Sequence, residues 1–345
     1  MVYFSLAKFK ARLTINPSAP PAESVGMAIS SLVFIDNFAH LSRCNILFRV
    51  SFIFKWIIKP LLYQINHPTM ITIAIPFFND DKYLNYAIRS VINQTYESWT
   101  LLLVDDGSSD RSVEIAREYA EKDHRIHLLS DGQNKGLPHR LNQIAALTTT
   151  RYLARMDSDD IMHPERIETQ LAILEANPQI DVLGSNAYSI DDKNNIRGIR
   201  KKVTSPNIIK RTKGFIHPTI TGQTAWFKNN PYCVKATRME DTELWVRTHK
   251  KSYFAVTQIP LLFYREYGGN YYKKYFKSIR TRIYIYIKYK NKSMILSIIS
   301  NTLKSFIYYF FYLIGNEDYL VRKRFLKINP EEKSRADIYF KKAIS

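Results

Sequence analysis

The chain has 345 residues, 46% hydrophobic and 23% charged, a balance ordinary for one large α/β domain or two smaller ones. Its net charge of +19 is concentrated at the ends: +5 over residues 1–69 and +12 over 271–345, against +2 over 70–270. The terminal cations alternate with aliphatic and aromatic side chains, as at 283–290 and around the aromatic run 306–312, which suits an anionic membrane surface and argues against nucleic acid.

Residues 1–69 have no signal-peptide apolar core in their first 25 positions, and Pro17, Pro20 and Pro21 mark a loose leader. They are expected to form an N-terminal extension, either amphipathic or preceding a mis-assigned start. From Met70 the pattern becomes regular. Met70-Ile71-Thr72-Ile73-Ala74-Ile75-Pro76 is a β-branched run of strand length, and Leu84, Ala87, Ile88, Val91 and Ile92 follow at helical spacing. Leu101-Leu102-Leu103-Val104 reads as a strand buried on both faces. A helix through Val113, Ala116 and Ala120 comes next, then strand 126–129 and a helix through Leu137, Leu141 and Ile144. Strand 152–156, a helix through Ile167, Leu171 and Leu174, and strand 181–184 complete the series. This alternation predicts a mostly parallel sheet with helices on both faces, whose ligand lies beyond the carboxyl ends of the strands.

That rule selects Asn79, Asp105, Asp106, Asp157 and Asp159, each just after a strand. Residues 70–184 are then the nucleotide half of a domain at 70–270, and the turn-rich 185–270 its acceptor half. Beyond it, 271–345 is a basic, aromatic, helical extension, with an apolar stripe (Ile295, Ile299, Leu303, Phe306, Phe310, Ile314) beside a polar one. No stretch reaches the ~20 uncharged residues of a spanning helix, since Lys304 interrupts 294–315. Two cysteines, Cys44 and Cys233, accord with a reducing compartment. The expected location is cytoplasmic, peripheral at the inner face of the cell membrane.

Asp157-Ser158-Asp159-Asp160 carries the sharpest chemistry. Acids at i and i+2 after a buried strand can hold Mg²⁺ or Mn²⁺ and leave positions open for phosphate oxygens. Taken alone, the same residues also read as a solvated turn. In Val104-Asp105-Asp106-Gly107-Ser108, Asp106 is placed to accept from a base or a ribose hydroxyl. Met239-Glu240-Asp241-Thr242-Glu243-Leu244-Trp245 adds acids about eighty residues later.

Together with Pro76-Phe77-Phe78-Asn79, the Ser90-to-Thr95 segment and Asn134-Lys135-Gly136, these motifs resemble, in order, the family 2 glycosyltransferases of the GT-A fold. The segments 160–166 and His217-Pro218-Thr219 are similar to the subgroup that builds bacterial capsular and lipopolysaccharide sugars. The resemblance implies a nucleotide-diphosphate sugar donor, UDP-linked, and a glycan or lipid-linked acceptor, with inversion. It places Pro76, Asn79 and Asp106, beside Asp105, at the donor base and ribose. Asp157 then contacts the sugar or ribose and shares the metal with Asp159, and Asp241 is the base with Glu240 beside it. Lys135 and Arg140 become phosphate contacts, although His139-Arg140-Leu141-Asn142 departs from the family's common Ala-Arg-Asn. His217 and Trp245 become acceptor contacts, although a Trp on an amphipathic helix reads equally as core. The rival readings are a sugar nucleotidylyltransferase, which needs a glycine-rich loop that 76–81 lacks, and a membrane-associated, non-catalytic nucleotide-sugar-binding scaffold.

Overall fold

The computed structural model describes residues 71–200, 209–212, 214–266, 270–290 and 292–345. The expected N-terminal extension lies outside the described residues. Strands β1 (Ile71–Phe77), β2 (Trp99–Asp105), β3 (Ile126–Leu129) and β4 (Tyr152–Arg155) alternate with helices α1 (Leu84–Ile92), α2 (Ser112–Lys122) and α3 (Leu137–Leu147). They pair in parallel in the order β3-β2-β1-β4, and all seven residues of β1 are buried because helices cover both faces.

After β5 (Ile161–Met162) and α4 (Arg166–Ala176) the sheet becomes mixed. It continues through β9 (Thr221–Gln223), β6 (Val182–Ile190) and β10 (Phe254–Arg265) to β5, while β7 (Ile196–Arg200) and β8 (Ile209–Arg211) pair on β6 and β10. β9 runs antiparallel to both β4 and β6, and β10 is parallel to β6. The parallel expectation therefore holds for the nucleotide half, and the acceptor half contributes the antiparallel pairings. Helices α5 (Thr224–Asn229) and α6 (Glu240–Thr248) cover this second half.

The Ser90-to-Thr95 motif fastens two elements. Gln94 Oε1 accepts from Ile167 N (3.1 Å) at the start of α4, and its Nε2 donates to the carbonyls of Ser90 and His163. Ser90 Oγ accepts from Met162 N (2.9 Å). These buried bonds set the chain that leaves the Asp157–Asp160 turn.

The C-terminal stretch comprises α7 (Tyr271–Tyr289), α8 (Ser293–Leu313), α9 (Glu317–Arg322) and α10 (Pro330–Ile344). Its last helix belongs to the core: Ala336, Phe340 and Ala343 are buried in a cluster with Ile161, Tyr188 and Phe263. Helices α7 and α8 form an antiparallel pair with an unusual polarity. Asn301 and Ser305 of α8 are buried, with Ser305 Oγ bonded to the Tyr272 carbonyl at 2.9 Å, whereas Leu296, Ile299, Leu303, Phe306, Phe310 and Leu313 are each more than half exposed. α8 is also, by length and composition alone, the one described helix apolar enough to cross a membrane, at mean hydropathy 1.3 with one-fifth of its span buried. The single charge of Lys304 does not disqualify it, in contrast to the sequence expectation.

Candidate active site

Four loops meet beyond the carboxyl ends of β1, β2 and β4. Asn79 takes a left-handed backbone (φ 50°), and its Oδ1 accepts from Ser109 N (2.8 Å) while its own N–H donates to Ser108 Oγ, locking the β1 loop to the β2 loop. Gly107 (φ 80°) is required there, because a Cβ would sit 2.7 Å from the backbone of Gln133 and Asn134. Pro76 is buried within β1 opposite Val104.

Asp105 and Asp106 are both buried. Asp105 accepts from Ser108 N and Ser130 Oγ, a structural role. Asp106 Oδ1 accepts from Lys135 N (2.8 Å) and Arg140 Nε (2.9 Å), and Oδ2 from Gly136 N (3.0 Å). Arg140 is fully buried, and the rest of its guanidinium pairs with Asp131. Lys135 Nζ also pairs with Asp131 (2.6 Å). Arg140 and Lys135 hold Asp131 well below the usual carboxylate range. The expectation that Arg140 contacts phosphate is corrected: its donors are spent on Asp106, Asp131, the Gln143 side chain and the Gln133 carbonyl, and it sets the loop that presents Asp106. Lys135 likewise acts through its backbone N–H.

The centre of the site is Arg155, at the end of β4. It is buried, and it donates from Nη1 to Asp241 Oδ1 (2.7 Å) and from Nη2 to Asp157 Oδ1 (3.1 Å). Burial opposes its charge, but these two carboxylates outweigh that and hold the guanidinium protonated. Asp157 Oδ2 lies 2.9 Å from His217 Nε2. A carboxylate only accepts, so that ring nitrogen carries the proton. Burial disfavours a charged His217 ring, yet Asp157 more than compensates and raises its affinity for a second proton. His217 is placed by Arg166, which is fully buried and donates to the carbonyls of Pro218 (2.9 Å), Arg155 (2.9 Å) and Ile220 (3.2 Å).

Asp157, Asp159 and Asp160 offer carboxylate oxygens within 4.8 Å of one another. Burial, together with Asp157 and Asp80, pushes Asp159 up to about 7, and burial also pushes Asp80 up to about 6. Asp160 accepts from Arg265 N through Oδ1 (2.8 Å), while its buried Oδ2 has no hydrogen-bond partner. Crowded carboxylates that retain protons, one with an orphaned oxygen, fit a hard divalent cation such as Mg²⁺ or Mn²⁺. Asp160 joins the two acids expected from sequence.

Asp241 and Glu240 open α6, where the helix dipole favours acids. Asp241 Oδ1 is taken by Arg155, which leaves Oδ2 to accept a proton. Glu240 is buried with Oε2 unpartnered, and burial followed by Asp241 raises its proton affinity. Trp245, expected at the acceptor, is instead core: it stacks on Trp226 (6.1 Å) and meets Phe215 and Phe254 edge-on. It lies at i+4 from Asp241 but on the inward face of α6. A cavity of about 930 Å³ opens at Asp157, Asp159 and His217 and is walled by β10 and α7.

Sequence reasoning passed over Arg155 and Asp80. Arg265 donates from Nε to the Asp159 carbonyl (2.6 Å) and from Nη1 to that of Asp191 (2.7 Å), bracing the acidic turn. An arginine closing an otherwise apolar strand was the available signal for Arg155.

The fold is of GT-A type, with an acidic cleft beyond the carboxyl ends of its strands. The family model described as Glycosyl transferase family 2 matches residues 72–244, half of the chain, and the chain belongs to that family. EpsE of Bacillus subtilis, designated a glycosyltransferase, is 31% identical over 194 residues, 54% of this chain and 69% of EpsE. The uncharacterized glycosyltransferase MJ1057 of Methanocaldococcus jannaschii is 28% identical over 240 residues, 66% of this chain and 82% of its own. Among solved structures, S. aureus TarS in complex with UDP-GlcNAc is 15% identical at a TM-score of 0.49, covering 80% of this chain and 81% of that one.

Proposed function

We propose that the protein is an inverting, metal-dependent glycosyltransferase that moves a sugar from a nucleotide diphosphate, UDP-linked, to a glycan or lipid-linked acceptor in cell-surface polysaccharide synthesis. The observation that carries this reading is the buried Arg155, which joins the acidic turn to the acid at the head of α6. Nucleotide binds at the ends of β1 and β2, beside Asp106 and Asn79. Asp159 and Asp160, with Asp157, hold the cation, which when bound neutralises the departing diphosphate. Asp241 Oδ2 takes the proton from the acceptor hydroxyl. The acceptor's own oxygen, freed of its proton, bonds to the anomeric carbon on the face opposite the leaving group, and the bond from that carbon to the phosphate oxygen breaks. Arg155 fixes the rotamer of Asp241 and draws no proton itself. Glu240, whose burial favours its protonated form, is the poorer acceptor.

The exposed apolar face of α8, beside the cations of α7, supports a location at the inner face of the membrane, where a lipid-linked acceptor would be presented. A scaffold without activity is disfavoured, since every acid of the site is present and oriented. The test is release of nucleoside diphosphate from a panel of UDP- and GDP-sugars with Mn²⁺ and with chelator. Metal-dependent release from one donor is expected. Absence of both release and binding with every donor overturns the reading.

A further inference from the structure

The cavity continues past the acidic turn to a wall made by the start of α6, the α7 face carrying Tyr271, Lys274, Ser278 and Arg282, and the segment after α9. That wall is strongly cationic, and the acids that line the cavity are Asp157, Asp159 and Glu266. Arg324 shares the buried Glu266 with Arg200. For Arg238, Lys274 and Arg282, no carboxylate forms an ion pair among the described residues. Arg282 reaches only the hydroxyls of Ser278 and Ser297, and Lys274 lies 4.6 Å from the Tyr271 ring centroid. Arg238 has a left-handed backbone (φ 66°), a conformation costly for a non-glycine residue, three positions before Asp241. Burial, followed by the neighbouring cation Arg324, holds the Lys274 ammonium below its ordinary value against the opposing pull of Asp159 and Glu317. Cations gathered in one cleft repel one another, and an anion with several oxygens relieves that repulsion.

The nucleotide loops do not reach this charge. Sheet order β2-β1-β4-β9-β6-β10 puts the nucleotide loops on one side of the Asp157–Asp160 turn and the β10 and α7 wall on the other. Asp106 and Asn79 do not line the cavity. We infer that Arg238, Lys274 and Arg282 bind a phosphate or diphosphate group carried by the acceptor, so that the acceptor is a phosphorylated molecule. The inference rests on the transferase reading for its location but is measured separately from it.

The experiment measures binding of farnesyl diphosphate, farnesol and inorganic pyrophosphate to the full chain saturated with UDP and Mg²⁺, and of UDP to each variant. Farnesyl diphosphate should bind the UDP-loaded protein, with farnesol at least ten-fold weaker. Lys274→Ala/Arg282→Ala should weaken the diphosphate ten-fold or more and leave UDP affinity within two-fold. Lys274→Arg/Arg282→Lys, which keeps the charge, should recover most of the loss and guards against a folding artefact. Farnesyl diphosphate tighter than pyrophosphate supports the site with a lipid carrier as its source, and equal affinity supports it with a soluble phosphorylated glycan. Displacement of farnesyl diphosphate by UDP, equal binding of farnesol, or equal weakening of UDP in the alanine variant overturns the inference. Failure of the transferase reading is a different result, the absence of UDP binding by the wild-type chain.

Discussion

Arg155 and Asp241 stand 86 positions apart in the chain and meet at 2.7 Å, with the guanidinium buried at the end of β4 and the carboxylate at the head of α6. The same guanidinium holds Asp157. One side chain therefore fixes the distance between the group proposed to take the proton and the turn proposed to hold the leaving group. Removing it strips Asp241 of its partner and leaves Asp157 with His217 alone.

Arg155→Met should reduce transfer at least 10²-fold, the scale of a catalytic base that has lost its position. Donor affinity, which depends on the β1 and β2 loops, should fall far less. Breaking a buried pair also costs about 3–5 kcal/mol, so a lower melting temperature is expected. Steady-state kinetics with nucleotide titration by calorimetry separate the two effects. Equal loss of kcat and donor affinity would place Arg155 in the donor site instead.

Asp241→Asn should keep donor and metal affinity and lose about 10²–10⁴-fold in transfer. The amide preserves one oxygen for Arg155, so the helix stays in place. Wild-type turnover would move the base to another group, and Glu240 is the adjacent carboxyl to examine.

The proton affinities of the acidic turn give a signed pH prediction. Asp159 is pushed up to about 7 and Asp80 to about 6, above the ordinary value of 3.8. The folded, metal-free protein thus holds protons that the unfolded chain releases. The stability these two groups contribute is full below about pH 4 and is lost as pH rises through about 6 to 7. A divalent cation competes with those protons, so the gain in melting temperature from Mn²⁺ should be larger at pH 8 than at pH 5.5. Asp159→Asn should remove most of both dependences. Equal Mn²⁺ shifts at the two pH values would mean that the cation binds elsewhere.

The nucleotide half was legible because its signals are local. Ile71, Ile73 and Ile75 read as a buried strand, and carboxylates that follow such strands fall at the sheet edge by topology alone. The roles of Arg140 and Trp245 were not, since each depends on a partner distant in sequence or on which face of a helix turns inward. The extension at 271–345 read as one basic unit because charge is summed over a window. Ala336, Phe340 and Ala343, at i, i+4 and i+7, carried the helical spacing that marks α10 as a core element. Periodicity found the apolar stripe of α8, but an amphipathic pattern does not say which face is buried.

That face yields the last prediction. In a water-soluble pair of helices the apolar side meets its partner and the polar side meets solvent. In α8 the buried residues include Asn301 and Ser305, and Leu296, Leu303 and Phe306 point outward. Polar residues between helices and apolar residues outside is the arrangement that lipid favours. Each such side chain contributes about 1.5–3 kcal/mol when fully removed from water, and each nearby Lys or Arg about 1 kcal/mol at an anionic surface. Full-length protein should therefore sediment with vesicles containing anionic lipid and be released in part by high salt. Leu303→Glu/Phe306→Glu should lower vesicle binding at least ten-fold with little change in melting temperature, since both positions are already exposed. If wild-type protein stays in the supernatant at low salt and the double variant changes only its sedimentation coefficient, the face is a contact between copies of this chain, and the membrane reading fails.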